Sequence, residues 1–101
     1  MPINRAGNGA ALINATVVPP TEMRLIDWLA KATEPITVPQ LIKLGTLEMS
    51  NASIYTLLRR SEKRGVARSQ VVEQIVLGTT YRRIVWSLPE NVKKLYEELI
   101  E

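Results

Sequence analysis

The spacing of the apolar residues changes at Gly65, and this change limits the folds that the chain can adopt. Before Gly65 the apolar residues recur three or four positions apart, as on one face of a helix. After it, residues 66–88 are rich in β-branched and aromatic side chains, with a turn signal near Gly78. Helical spacing returns after Pro89. The sequence therefore predicts an α+β domain with three helices, a two-stranded hairpin and a C-terminal helix.

Turn and capping signals divide the first part of the chain into two helices. The first helix is predicted to begin at an N-cap Thr21 and to end before Pro35, which disfavours helical geometry at the preceding residue. The second helix is the segment "TVPQLIKLG". Its Thr37 and Gln40 have the spacing of a capping box, and Gly45 supplies a C-terminal stop.

The third predicted helix, "SNASIYTLLRRSEKRG", has an apolar face and a basic face. Ser50 is a suitable N-cap, and Gly65 ends the helix by allowing a left-handed residue. The apolar face is predicted to carry Ile54, Leu57, Leu58 and Ser61. The other face is predicted to carry mostly Asn51, Thr56, Arg59, Arg60 and Lys63.

Two strands follow, joined by a short loop. Gly78 and Thr79 fit a two-residue type II′ turn, although a three-residue loop is also possible and the register stays open. Alternation places Arg82 on the core-facing side of the second strand, near its tip, and Arg83 on the opposite side. The core-facing residues are predicted to be Ile84, Trp86 and Leu88.

The positive charge is concentrated in one block of the chain. Residues 50–89 hold seven basic and two acidic side chains, whereas residues 1–49 hold four of each. Such a block is typical of a nucleic-acid-binding face. The chain has no His and no Cys, which removes the commonest catalytic base, metal ligands and nucleophile, so we expect no enzyme, no metal site and no cofactor. No apolar run reaches the ~18 residues of a membrane helix, and we expect a cytoplasmic, nucleoid-associated protein.

The order of these elements, together with the segment "SNASIYTLLRRSEKRGVARS", resembles a winged helix-turn-helix domain of the MarR and PadR groups of bacterial transcriptional regulators. The resemblance is strongest over residues 50–68 and extends over 21–88. Two features depart from those families. Ser61 stands where they usually have Leu, and the link from Gly45 to Met49 is longer than their usual turn.

The resemblance implies sequence-specific binding of double-stranded DNA by a small regulator, most simply a repressor. An α-helix fits the major groove, where its N-terminal residues reach base edges, while basic residues contact phosphates. Of the basic residues, Arg59 has the best reach to a guanine. No extra helices that would form a pocket for a small-molecule effector are evident. The predicted DNA-binding residues are Ser50, Asn51, Ser53, Tyr55, Thr56, Arg59, Arg60 and Lys63 in the helix, and Thr79, Thr80, Arg82 and Arg83 in the hairpin.

Several alternatives remain open at this point. Asn51 is equally suited to capping, and Tyr55 to packing against the second helix. The basic face also suits a winged-helix adaptor that docks an acidic protein.

The two ends of the chain carry separate predictions. Residues 1–20 are predicted to form a mobile arm outside the 21–89 domain, although residues 10–18 could form a strand if a partner covered them. Residues 90–101 are predicted to form a helix with one apolar stripe. That stripe either closes the core of the monomer or forms a homodimer, which we slightly favour because such regulators read two half-sites. Its residues are Val92, Leu95, Tyr96 and Leu99.

Overall fold

The α+β class predicted from the sequence is confirmed. The structure, a computed structural model that describes residues 3–98, contains four helices and two separate antiparallel sheets. None of these helices combines the length and the apolar character that crossing a bilayer requires. The elements are, in chain order, β1 (Ile3–Arg5), β2 (Ala11–Ile13), β3 (Thr16–Val18), α1 (Pro20–Lys31), α2 (Val38–Gly45), α3 (Asn51–Lys63), β4 (Arg68–Val76), β5 (Thr79–Ser87) and α4 (Glu90–Glu98).

Residues 3–18 contain three paired strands, whereas the composition of residues 1–20 predicted a mobile arm. β1, β2 and β3 form an antiparallel sheet, and a two-residue turn at Asn14 and Ala15, both with positive φ, joins β2 to β3. Asp27 of α1 forms an ion pair with Arg5 at 2.7 Å. Residues 10–18, which were expected to form a strand only if a partner covered them, form β2 and β3, and these strands are covered by the rest of the chain. One side of the sheet enters the core through Ile3, Ala11, Ile13 and Val18.

The predicted caps are partly correct for the first two helices. Thr21 is not the N-cap of α1, because the helix begins two residues earlier than predicted, with Pro19 as the N-cap. Pro20 occupies the first helical position, where the missing N–H costs nothing. The capping box of α2 is confirmed: Thr37 and Gln40 bond each other's backbone N–H groups. Gly45 lies within α2, and the left-handed residue that ends this helix is Thr46, with φ of 50°.

Both ends of α3 agree with the prediction. The Ser50 hydroxyl accepts a bond from the Ser53 N–H at 3.1 Å, and Gly65 has φ of +82°. The N–H groups of Gly65 and Val66 bond the carbonyls of Glu62 and Ser61 at 3.0 Å, the two bonds of a Schellman motif. Local capping signals in the sequence are therefore sufficient to predict both ends of α3.

The turn of the hairpin lies one residue earlier than predicted. Val76 pairs with Thr79, so the two-residue loop is Leu77 and Gly78, not Gly78 and Thr79. Both loop residues have positive φ, 51° and 81°, as in a type I′ turn. The prediction placed Gly78 first because Gly is the usual first residue of a type II′ turn. A leucine in the left-handed region was not expected.

The base of the hairpin packs into the core. The prediction of core-facing residues in β5 is confirmed: Trp86 is fully buried, Leu88 is buried and Ile84 is half-buried. The backbone of Trp86 also exchanges two hydrogen bonds with Ile36, in the link between α1 and α2, at 3.0 and 2.7 Å. This bridge joins the hairpin to the helices near the start of α2.

Candidate nucleic-acid interface

The third helix is attached to the core by one face only. Ile54, Leu58 and Ser61 are fully buried, and Leu57 is half-buried. With about 100° of rotation per residue, the direction pointing away from this face falls near Thr56 and Lys63. The segment between Ser50 and Gly65 is thus a surface helix and is not covered by its neighbours.

The structure places the twelve predicted contact residues at the surface, with one exception. Arg59 is half-buried, whereas the other eleven are exposed. In the hairpin, strand alternation divides the candidates between its two sides. Thr80 and Arg82 lie on the side that carries Trp86, and Thr79 and Arg83 lie on the other.

Arg59 is held in a network between α3 and the hairpin. Its guanidinium donates to the Tyr55 hydroxyl at 2.9 and 2.6 Å, to Glu62 at 2.7 Å and to Ser69 of β4 at 3.4 Å. The same group lies 5.4 Å from the ring of Trp86, which Tyr55 contacts edge-on at 6.0 Å. Arg59 in this position links two elements and is not extended toward a base, in contrast to the reach assigned to it from the sequence. Tyr55 contacts Trp86 of the hairpin, and because the residue is still exposed, a DNA contact by it stays a prediction.

Glu62 completes this network and keeps it close to neutral. Its carboxylate accepts hydrogen bonds from the hydroxyl and the N–H of Ser69 and from Arg59. These bonds, first those from Ser69 and then that from Arg59, hold the pKa of Glu62 below its usual value. The Tyr55 and Glu62 contacts in turn raise the pKa of Arg59. The Arg59–Glu62 ion pair could have been predicted from the sequence, because the two residues are three positions apart on one helix. The contribution of Ser69 requires the fold.

The exposed face of α3 has the hairpin on one side and a free basic residue on the other. A shallow groove beside the first half of the helix is bordered by Tyr55 and by Arg82 and Arg83 of β5. Arg60 is about 140° from Tyr55 around the helix axis, so it lies on the side away from the hairpin. Thr56 and Lys63 lie between them. Basic groups therefore flank both sides of one surface helix.

Not every basic residue on this surface carries a free charge. Arg59 pairs with Glu62, and Arg82 pairs with Glu73 across the strands at 3.4 Å. The second pair is largely exposed, so water and salt weaken it. Within residues 3–98, no ion pair involves Arg60, Lys63 or Arg83, so no carboxylate offsets the charges of these three residues.

A buried polar cluster behind α3 was missed by the sequence analysis. The Glu22 side chain is 3% exposed and pairs with Arg64, whose Nε is 3.1 Å away. Ser61, also fully buried, lies 3.1 Å from the same carboxylate oxygen. Arg64 further donates to the carbonyl of Val17 in β3. The available signal was Ser61 itself, a polar residue on an apolar helix face. Its hydroxyl is accommodated on this buried face because it lies beside the Glu22 carboxylate.

The C-terminal stripe packs against its own chain. Val92 is 1% exposed, Leu95 packs against the core, and the Tyr96 hydroxyl donates to Asp27 at 2.7 Å. These contacts correspond to the alternative in which the stripe closes the monomer. Leu99 lies outside the described residues. Homodimer formation stays a prediction, and these three side chains are already in use within the chain.

Several large apolar side chains of the hairpin are exposed. Val71, Ile75 and Tyr81 are 62%, 74% and 48% exposed, and Leu77 in the turn is fully exposed. Thr79, next to the turn, is seven residues from the buried Trp86 at the base of the hairpin, which corresponds to about 23 Å along a strand. The hairpin therefore extends well beyond the core, as the 48 Å long axis of the molecule indicates.

Comparison with protein-family models, with curated proteins and with solved structures found no match to this chain. Within residues 3–98, the acidic side chains form no group of three that could hold a metal ion.

Proposed function

We propose that the protein is a small regulator that binds double-stranded DNA sequence-specifically, with the architecture of a winged helix-turn-helix domain. In this proposal α3 enters the major groove and the β4–β5 hairpin, as the wing, contacts the neighbouring backbone or minor groove. The observation that carries the proposal is the exposed face of α3 with Arg60 on one side and the hairpin on the other. A helix in the major groove has a phosphate backbone on each side, and this arrangement offers basic groups to both.

The first half of α3 supplies the groups suited to reading bases. Asn51, Ser53 and Thr56 are exposed there, and an Asn amide can form two bonds with adenine. The Thr56 hydroxyl donates to the carbonyl of Ala52, which leaves its methyl group for contact with a thymine methyl. Ser50 is occupied by capping, so we assign it a structural role with at most a phosphate contact.

Arg59 acts in this proposal as a positioning residue. By bonding Tyr55, Glu62 and Ser69 together, it fixes the angle between α3 and the hairpin. Two elements that must contact one duplex at once gain affinity when their relative orientation is fixed in advance. Arg60, Lys63 and Arg83 then supply the phosphate contacts.

The test is fluorescence anisotropy with duplexes selected from a random pool, measured at several salt concentrations. Each phosphate contact contributes a slope of about −0.9 to the dependence of log K on log salt. Replacing Arg60 and Lys63 with Ala should weaken binding and reduce the slope by about 2. The control replaces Lys93 and Lys94 of α4 with Ala, which removes the same charge outside the proposed surface and should leave the slope unchanged. Affinity independent of salt, or equal losses in both variants, would refute the proposal.

The same surface would serve an adaptor that docks an acidic protein, and one double variant separates the two functions. Replacing Arg59 and Arg60 with Ala should abolish DNA retention if the proposal is correct. Intact DNA retention with loss of a captured protein partner would favour the adaptor. We further propose that two copies bind a palindromic site, and light scattering with and without the selected duplex measures this.

A further inference from the structure

The turn of the hairpin combines two unfavourable features in one residue. Leu77 has φ of 51°, a left-handed conformation in which Asn, Asp or Gly is the usual residue at this turn position. Its side chain is also fully exposed. An apolar side chain in water, on a backbone that its Cβ disfavours, benefits neither the stability nor the solubility of the free protein. Such a residue indicates a contact that forms only in a complex.

The surroundings of Leu77 indicate the chemistry of that contact. Ile75 and Val76 are also exposed, on opposite sides of the hairpin. Arg82 and Arg83 lie three and four residues beyond Thr79 on β5, and Arg82 is paired with Glu73 across the strands. The partner must therefore accept a narrow apolar tip between negatively charged edges. The minor groove of DNA has this form, and apolar wedges inserted there between base steps kink the duplex.

A second copy of this chain fits the tip less well. A stable protein interface involves about 20–30 residues on each side, whereas the whole hairpin exposes only five large apolar side chains. The hairpin also has sufficient reach for DNA. Its tip extends about 23 Å beyond Trp86, and the major and minor grooves are separated by about half a helical turn, or about 17 Å.

We propose that Leu77 enters the minor groove next to the site bound by α3 and opens one base step, so that the protein selects for deformable DNA as well as for base edges. This inference rests on the proposed function and adds a second source of specificity. Flexible pyrimidine–purine steps such as TA are opened most easily, so selected sites should carry one at a fixed distance from the bases read by α3.

The experiment compares the wild type with Leu77→Asn on the selected duplex. Asn suits the left-handed turn and removes the wedge, so the folded hairpin should be at least as stable as in the wild type, and circular dichroism verifies this. Leu77→Met is the matched control, because Met retains an apolar side chain. Bending is measured by energy transfer between dyes on the duplex ends, and base opening by the fluorescence of 2-aminopurine at the TA step.

We expect the wild type and Leu77→Met to bend the duplex by 20–90° and to raise the 2-aminopurine signal. Leu77→Asn should do neither, and it should bind the TA-containing site about 10-fold more weakly while binding a site without that step equally well. Binding by the wild type without bending, or equal bending by Leu77→Asn, would overturn the wedge and leave the proposed function intact. No DNA binding at low salt would overturn both. A wild-type oligomer that Leu77→Asn converts to a monomer would instead assign the tip to contacts between copies.

Discussion

Removal of Arg64 should destabilise the fold far more than removal of an exposed arginine. Arg64 is the charged partner of the buried Glu22 carboxylate, and Arg64→Ala leaves only Ser61 beside that carboxylate. A lost hydrogen bond to a buried charge costs about 1.5–3 kcal/mol, and the lost bond to the Val17 carbonyl adds about 0.5–1.5 kcal/mol. Since the Arg64 side chain is 38% exposed and water can partly replace it, we expect a total near 3 kcal/mol.

Urea denaturation followed by far-UV circular dichroism measures this loss. For a chain of this size a loss of about 3 kcal/mol lowers the urea midpoint by about 2 M and the thermal midpoint by about 12–20 °C. Arg82→Ala is the matched control, because it also removes an arginine paired with a glutamate. Its pair with Glu73 is 78% and 61% exposed, so its loss should cost at most about 0.5 kcal/mol.

A second substitution tests the reason for the loss. If the uncompensated buried charge causes it, adding Glu22→Gln to Arg64→Ala should recover about 1–2 kcal/mol, because an amide is less costly to bury than a carboxylate. The reasoning is refuted if Arg64→Ala costs no more than Arg82→Ala, or if the double variant is less stable than Arg64→Ala alone.

Two further substitutions test the interior of α2 and the link between α3 and the hairpin. Gly45→Ala places a Cβ 3.0 Å from Leu47 Cγ and from Trp28 Nε1. Although Ala has the better helix propensity, this close contact should lower the free energy of unfolding by about 1 kcal/mol in the same urea assay. A more stable variant would show that Leu47 and Trp28 can move aside at little cost. The lowered pKa of Glu62 stabilises the folded state above the unfolded value near 4.5, and this contribution is lost as the pH falls through the folded value. Glu62→Gln should therefore show a shallower decline in stability below pH 4.5 than the wild type, and equal declines would contradict the assignment.

Local signals in the sequence were sufficient for the boundaries of α3 and for the inward side of β5. The Ser50 cap and the left-handed Gly65 depend on neighbouring residues, and the alternation around Trp86 depends only on the strand period. The turn at Leu77 was misplaced because its conformation opposes the preference of the residue that adopts it. A rule based on propensity cannot identify a position at which propensity is overridden.

The remaining errors concern contacts between distant parts of the chain. Residues 1–20 were predicted to be a mobile arm because they are rich in Gly, Asn and Ala, and the cover that α1 provides for residues 3–18 is not visible in that composition. Arg59 was considered for contact with a guanine because of its reach, and its partner Ser69 lies beyond the end of its helix. A side chain with long reach has several possible partners, and only the fold shows which of them is near.

The packing of Trp86 against Tyr55 and Arg59 gives this chain an internal optical reporter. The protein has two tryptophans, and replacing the half-buried Trp28 with Phe would leave one emitter where the long helix meets the base of the hairpin. Indole emission shifts to longer wavelength when water gains access to the ring. The emission maximum of Trp86 would therefore report any separation of α3 from the base of the hairpin. Without an added dye, this emission would then show whether α3 and the base of the hairpin are held rigidly together in the free protein.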